Sequence, residues 1–128
     1  GGSPKIPDHL ITEISGATRL VEVKTPTKKM LPKRIRNTVK SAVEQIAEYN
    51  TLSSPTDKGI IRLDYRSSSA PTNLSASEIE RVVKERLSFK VKQDSDLVGS
   101  DFIDFVEVIY KDFNQDNTVK RLTIQVDN

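Results

Sequence analysis

The chain has 128 residues with no cysteine and one histidine, His9, which excludes a disulfide framework, a thiolate zinc site and any histidine-rich metal site. This length suits one domain that buries roughly two-thirds of its unfolded surface without a covalent staple; residues 1–6 read as a cloning scar or linker and residues 7–128 as that domain. A net charge of +2, from 20 basic and 18 acidic residues, says little about partners, and no apolar run approaches the ~20 residues of a membrane span.

In chain order, His9 to Ile14 alternates as a short strand, Ser15-Gly16-Ala17 makes a turn, and Arg19 to Thr25 returns as the antiparallel partner. Pro26 and Pro32 bound a loop too proline-rich to be helical. A helix then runs from about Lys33 to Glu48, with Ile35, Val39, Ala42, Val43, Ile46 and Tyr49 as its buried stripe. Thr51 to Lys58 is a polar loop, Ile60 to Tyr65 a strand, and Ser67 to Asn73 another loop. Ser75 and Glu78 form a capping box closed by a Leu74–Ile79 staple, and the helix they start buries Ile79, Val82, Val83 and Leu87. Phe102 to Lys111, a turn at Asn114 to Asn117, and Thr118 to Val126 read as a hairpin. This order implies an α/β or α+β sandwich with a mixed sheet of about five strands and two packed helices.

The chemistry centres on Leu20-Val21-Glu22-Val23-Lys24-Thr25. Side chains at i and i+2 of a strand share a face, so Glu22 and Lys24 project together while Val21 and Val23 point into the opposite layer. Asp8, in Pro7-Asp8 at the start of the partner strand, is placed to complete a divalent-metal site with Glu22. Oxygen ligands of this kind suit Mg²⁺, with Mn²⁺ or Zn²⁺ as substitutes. Lys24 would orient or deprotonate the attacking water, or neutralise the transition state. The ordinary alternative for Glu22-Val23-Lys24 is charge pairing across a half-solvated sheet.

From Thr25 to Val43 the chain carries Lys28, Lys29, Lys33, Arg34, Arg36 and Lys40 without an acid, while Asp94, Asp96, Asp101, Asp104, Asp112 and Asp116 gather in the C-terminal half. A basic run beside a metal site can hold a polyanion, and is otherwise a solvated helix face. A polar stripe of Arg34, Thr38, Ser41 and Gln45 lies alongside the apolar one on the first helix. Thr25, Lys28, Lys29, Lys33, Arg34, Thr38, Ser41 and Gln45 are therefore the candidate substrate contacts. The few, scattered aromatics argue against an RNA-binding module of the RNP type.

Leu20 to Thr27, Ile35 to Asn37, Ala42-Val43-Glu44-Gln45, Ile60 to Asp64 and Val106 to Lys111 together resemble the tRNA nuclease branch of the C-terminal toxin domains of contact-dependent growth inhibition proteins, which belong to the PD-(D/E)XK nuclease superfamily. The resemblance implies a restriction-endonuclease-like core. It also implies a toxin that is secreted or displayed on a cell surface as part of a larger protein, acts on tRNA in the target-cell cytoplasm, and is neutralised by a cognate immunity protein. It gives a metal role to Asp8 and Glu22, a catalytic role to Lys24 and a supporting role to Gln45. A helix before the first strand, often carrying another acid, is usual in that superfamily, and only about seven residues precede Asp8 here. A DNase of the same fold and a non-catalytic nucleic-acid or protein-binding module remain as alternatives.

Overall fold

The computed structural model describes residues 9–12, 18–52 and 58–126. Five strands, β1 (His9–Thr12), β2 (Thr18–Lys24), β3 (Gly59–Asp64), β4 (Ile103–Asp112) and β5 (Thr118–Gln125), join in one sheet in the order of the chain. Two helices, α1 (Pro32–Leu52) and α2 (Ala76–Leu87), interrupt them. The fold is α+β. Its body is the four-stranded mixed sheet β2–β5, in which β2, β3 and β4 are parallel and β5 is antiparallel to β4. The short β1 pairs antiparallel along the β2 edge.

Both crossovers, β2-α1-β3 and β3-α2-β4, step the same way across the sheet. Right-handed connections then put both helices on one face. The core accordingly unites Ile35, Val39, Ala42, Val43 and Ile46 of α1 and Ile79, Val82, Val83 and Leu87 of α2 with Leu20, Ile61, Leu63, Val106, Val108 and Ile124 of the sheet. The register carries one face from strand to strand: Glu22 beside Ile61, Ile61 beside Val106, and Val106 beside Ile124.

Val21 and Val23 lie on the other face, as alternation requires, but among the described residues no helix forms a second layer there. That face carries ion pairs instead. Glu107 lies 3.4 Å from Arg62 and 3.2 Å from Arg121, Asp64 pairs with Arg66, and Arg19 pairs with Asp104.

The element limits shift for local reasons. α1 starts at Pro32 rather than after it, because a proline at the first helical position lacks only an N–H that would have had no partner. It runs on to Leu52, and its half-buried Tyr49 still packs on the core. Ser75 caps α2 by accepting from the Glu78 N–H at 3.2 Å, and its hydroxyl donates to the Glu78 carboxylate at 3.2 Å. The hairpin turn is tighter than a simple loop: a 3-10 turn at Phe113–Gln115 is followed by Asp116 and Asn117, both at positive φ. Residues 88–101 hold a small hairpin absent from the sequence reading, with a Lys90↔Val98 bridge and a 3-10 turn at Gly99–Asp101. Asp8, the Ser15-Gly16-Ala17 turn and most of the 51–58 loop fall outside the described residues.

Candidate active site

Glu22 and Lys24 end β2 on the face that α1 covers. Strand geometry separates their Cα atoms by roughly 7 Å. Glu22 is 1 % exposed, a carboxyl enclosed among Leu20, Ile61 and the helix layer. Burying a carboxyl is costly unless it is paired, hydrogen-bonded or held to a cation, so an acid here needs a reason that packing alone does not supply. Lys24, one turn of the pleat further on, is half-buried, and its Nζ donates to Gln45 Oε1 of α1 at 2.6 Å. The enclosure of Glu22 follows from α1 packing on this edge of the sheet, and it sets aside the ordinary alternative of charge pairing on a half-solvated face.

Beyond Lys24 the C-terminal end of β2 opens into a cleft of about 400 Å³ lined by Lys24, Thr25, Pro26, Asn37, Thr38 and Ser41. The cleft thus lies beyond the carboxyl end of β2, on the side of the sheet that α1 covers. Thr38 spends its hydroxyl proton on its own helix, donating to the Arg34 carbonyl at 2.8 Å, which leaves Oγ1 lone pairs toward the cleft. Beneath it, Tyr65 at the end of β3 is 2 % exposed. Burial pushes its hydroxyl up to about 12, with the Thr38 side chain pulling slightly the other way.

The loop between β2 and α1 is fixed by the 68–72 segment. Ser69 N–H donates to the Thr27 carbonyl at 2.7 Å, the Ser68 hydroxyl to that of Lys28 at 3.2 Å, and the Thr72 hydroxyl to that of Met30 at 3.4 Å. Arg34 folds back onto the same loop, donating to the Lys29 carbonyl at 3.1 Å. Thus Thr25, Thr38, Ser41 and Gln45 come together around Lys24. Lys28, Lys33 and Arg34 are exposed on the rim, and Lys29 is half-buried, none of the four lining the cleft. Asn37 also lines the cleft, a residue absent from the sequence-based candidates, although it lies one helical turn from Ser41 on the same side.

The fit to a divalent cation is partial. No group of three His, Asp or Glu side chains converges among the described residues, where Glu22 is the sole carboxyl of the proposed pair. Mg²⁺ asks less than that: one or two protein carboxylates suffice when waters and substrate phosphate fill the remaining positions. β1 begins at His9, directly opposite Val21, and Asp8 lies outside the described residues. No helix among the described residues is long and apolar enough to cross a membrane.

No protein-family model, curated protein or solved structure matches this chain.

Proposed function

We propose that the chain is a metal-dependent nuclease toxin domain with a restriction-endonuclease-like core, hydrolysing phosphodiester bonds in the tRNA of a competing bacterium. The observation that carries this reading is the placing of an enclosed carboxyl and a tethered ammonium on one strand face, Glu22 at 1 % exposure and, two residues on, Lys24, which is held by Gln45 and lines the cleft. Glu22 and Asp8 hold the cation, Mg²⁺ or in its place Mn²⁺ or Zn²⁺. When bound, such an ion polarises the phosphoryl oxygen and acidifies a water.

The protein's own groups do the rest. Gln45 aims the Lys24 ammonium at the scissile phosphate, where positive charge stabilises the developing oxyanion. Thr25 and Ser41 offer hydroxyls to phosphate or ribose oxygens, while Thr38 Oγ1, its proton given to the Arg34 carbonyl, can accept from a ribose hydroxyl. Lys28, Lys29, Lys33 and Arg34 draw the polyanion to the rim. Such a domain is delivered as the C-terminal part of a larger secreted or surface protein, and a cognate immunity protein silences it in the producing cell.

Incubation with total tRNA and with plasmid DNA, in Mg²⁺ or EDTA, tests the reading. Cleavage of tRNA in Mg²⁺ that disappears with EDTA, Glu22→Gln or Lys24→Ala is the expected result. Cleavage that persists in both variants removes the site, cleavage of plasmid alone makes the protein a DNase, and binding without cleavage makes it a recognition module.

A further inference from the structure

On the flank of α1 away from the cleft lies a shallow groove between α1, the end of α2 and the 88–99 hairpin. Lys40 and Glu44 of α1, Arg86 of α2, and Phe89 and Lys90 of the hairpin line it. Phe89 is 59 % exposed. A lone exposed phenylalanine needs no explanation, but this ring is held in place. The Arg86 guanidinium covers it from 5.4 Å, the Phe89 carbonyl accepts from the Gly99 N–H at 3.1 Å, and Val91 N–H donates to the Leu97 carbonyl at 3.0 Å to close the hairpin beneath it. Gly99 is required at that point: a Cβ there would stand 3.0 Å from the Leu87 carbonyl.

Cations outnumber acids around the ring. Three of them, Lys40, Arg86 and Lys90, stand with two acids, Glu44 at 3.9 Å from Lys40 and Asp96 at 3.9 Å from Lys90, both at the distance of weak surface pairs that a phosphate can replace. Lys33 and Lys40 are seven residues apart, two turns on one exposed stripe, so cations run along α1 beside the groove. A flat aromatic with a stacked guanidinium and flanking lysines is the arrangement that holds an unpaired base by its π-face and the adjoining phosphates by charge.

We infer that this groove is a second subsite for single-stranded nucleic acid, in which an unpaired base stacks on Phe89 and its flanking phosphates lie against Lys40, Arg86 and Lys90; the inference rests on the nuclease reading of the cleft. The strand enters or leaves the cleft over the solvent face of α1, so the substrate is gripped on both flanks of one helix.

The test is fluorescence anisotropy of a labelled single-stranded RNA oligonucleotide in EDTA, over a salt series, with melting curves to confirm that each variant is folded. Phe89→Ala should weaken binding about 5- to 100-fold at unchanged salt slope. Phe89→Tyr, which keeps the ring, should bind within about twofold of the parent on the same stacking argument. Lys40→Ala should lower the slope by about 0.7, one phosphate contact on a single strand. Wild-type affinity in Phe89→Ala, with binding lost in Lys33→Ala and Arg34→Ala, overturns the subsite and leaves the cleft reading intact. Failure of the wild-type protein to bind RNA overturns the subsite, and only an accompanying absence of cleavage overturns the nuclease reading as well. A Phe89→Ala protein that keeps RNA but loses a folded protein partner converts the groove into a protein contact.

Discussion

Lys24 Nζ donates to Gln45 Oε1 at 2.6 Å, tying the last residue of β2 to the middle of α1. The amide gives the ammonium direction without neutralising it, as a carboxylate would. A hydrogen bond to a charged group is worth about 1.5–3 kcal/mol, so removing it should cost roughly 10- to 100-fold in rate if the alignment matters in the transition state. Gln45→Ala should therefore lower kcat by that factor with KM little changed, and should cost little more when added to Lys24→Ala, since the amide acts through the ammonium. Single-turnover cleavage of tRNA measures both; the full additional loss in the double variant would show that Gln45 does not act through Lys24.

The enclosure of Glu22 predicts a signature in binding as well as in catalysis. A cation bound to the folded protein alone raises stability by about 2.7 kcal/mol at a hundredfold excess over its Kd. The melting temperature should rise on adding Mg²⁺ to the wild-type protein and stay constant in Glu22→Gln, whose isosteric amide keeps the packing and loses the ligand charge. Calorimetric melts with and without Mg²⁺ provide the check. A rise of the same size in Glu22→Gln would place the cation elsewhere.

Much of this arrangement was legible in the residues. The Ser75 N-cap, the stripe from Ile35 to Ile46, and the i,i+2 relation of Glu22 and Lys24 are local signals, set by backbone geometry within a few positions, and they hold; of the Ser75–Glu78 box the N-cap half forms, the Glu78 carboxylate accepting from the Ser75 hydroxyl. The Lys24–Gln45 contact was legible only as a coincidence of two stripes, because the distance across 21 residues depends on how α1 settles on β2. Two features were not legible. The burial of Glu22 arises from the handedness of two crossovers, which puts both helices on its face of the sheet. Exposed Phe89 belongs to a hairpin whose turn residues, Gln93 and Asp94, carry no glycine–asparagine signal.

Tyr65 gives a pH prediction. Burial raises its hydroxyl from 10.0 to about 12 in the folded protein. A group whose folded value is raised contributes stability that is complete below its unfolded value and is lost as pH climbs through the folded one. The window is therefore pH 10 to 12, and the loss by its upper end is of the order of 2 kcal/mol. Tyr65→Phe keeps the ring and removes the titration. Urea midpoints measured from pH 8 to 12 should fall more steeply for the wild-type protein than for Tyr65→Phe; parallel curves would show that the hydroxyl reaches water.

Gly59 sets how closely α1 approaches the sheet, and hence whether Gln45 can reach Lys24 at all. A Cβ at this position would stand 3.0 Å from Ile46 Cγ2, 3.1 Å from Ile46 Cδ1 and 3.1 Å from the Leu20 carbonyl. The side chain can yield a little and the carbonyl cannot, because it belongs to β2. Gly59→Ala should then push α1 outward at Ile46, the residue next to Gln45, and cost about 1–3 kcal/mol as overpacking does. In an Ile46→Ala background, where two of the three close contacts are gone, the added cost of Gly59→Ala should be smaller, giving a coupling that opposes simple addition. Cleavage sharpens the test: at a temperature where Gly59→Ala is fully folded, its kcat should fall toward that of Gln45→Ala, because the amide has been lifted from the ammonium. A fully active, destabilised Gly59→Ala would separate the packing of α1 from the aim of Lys24.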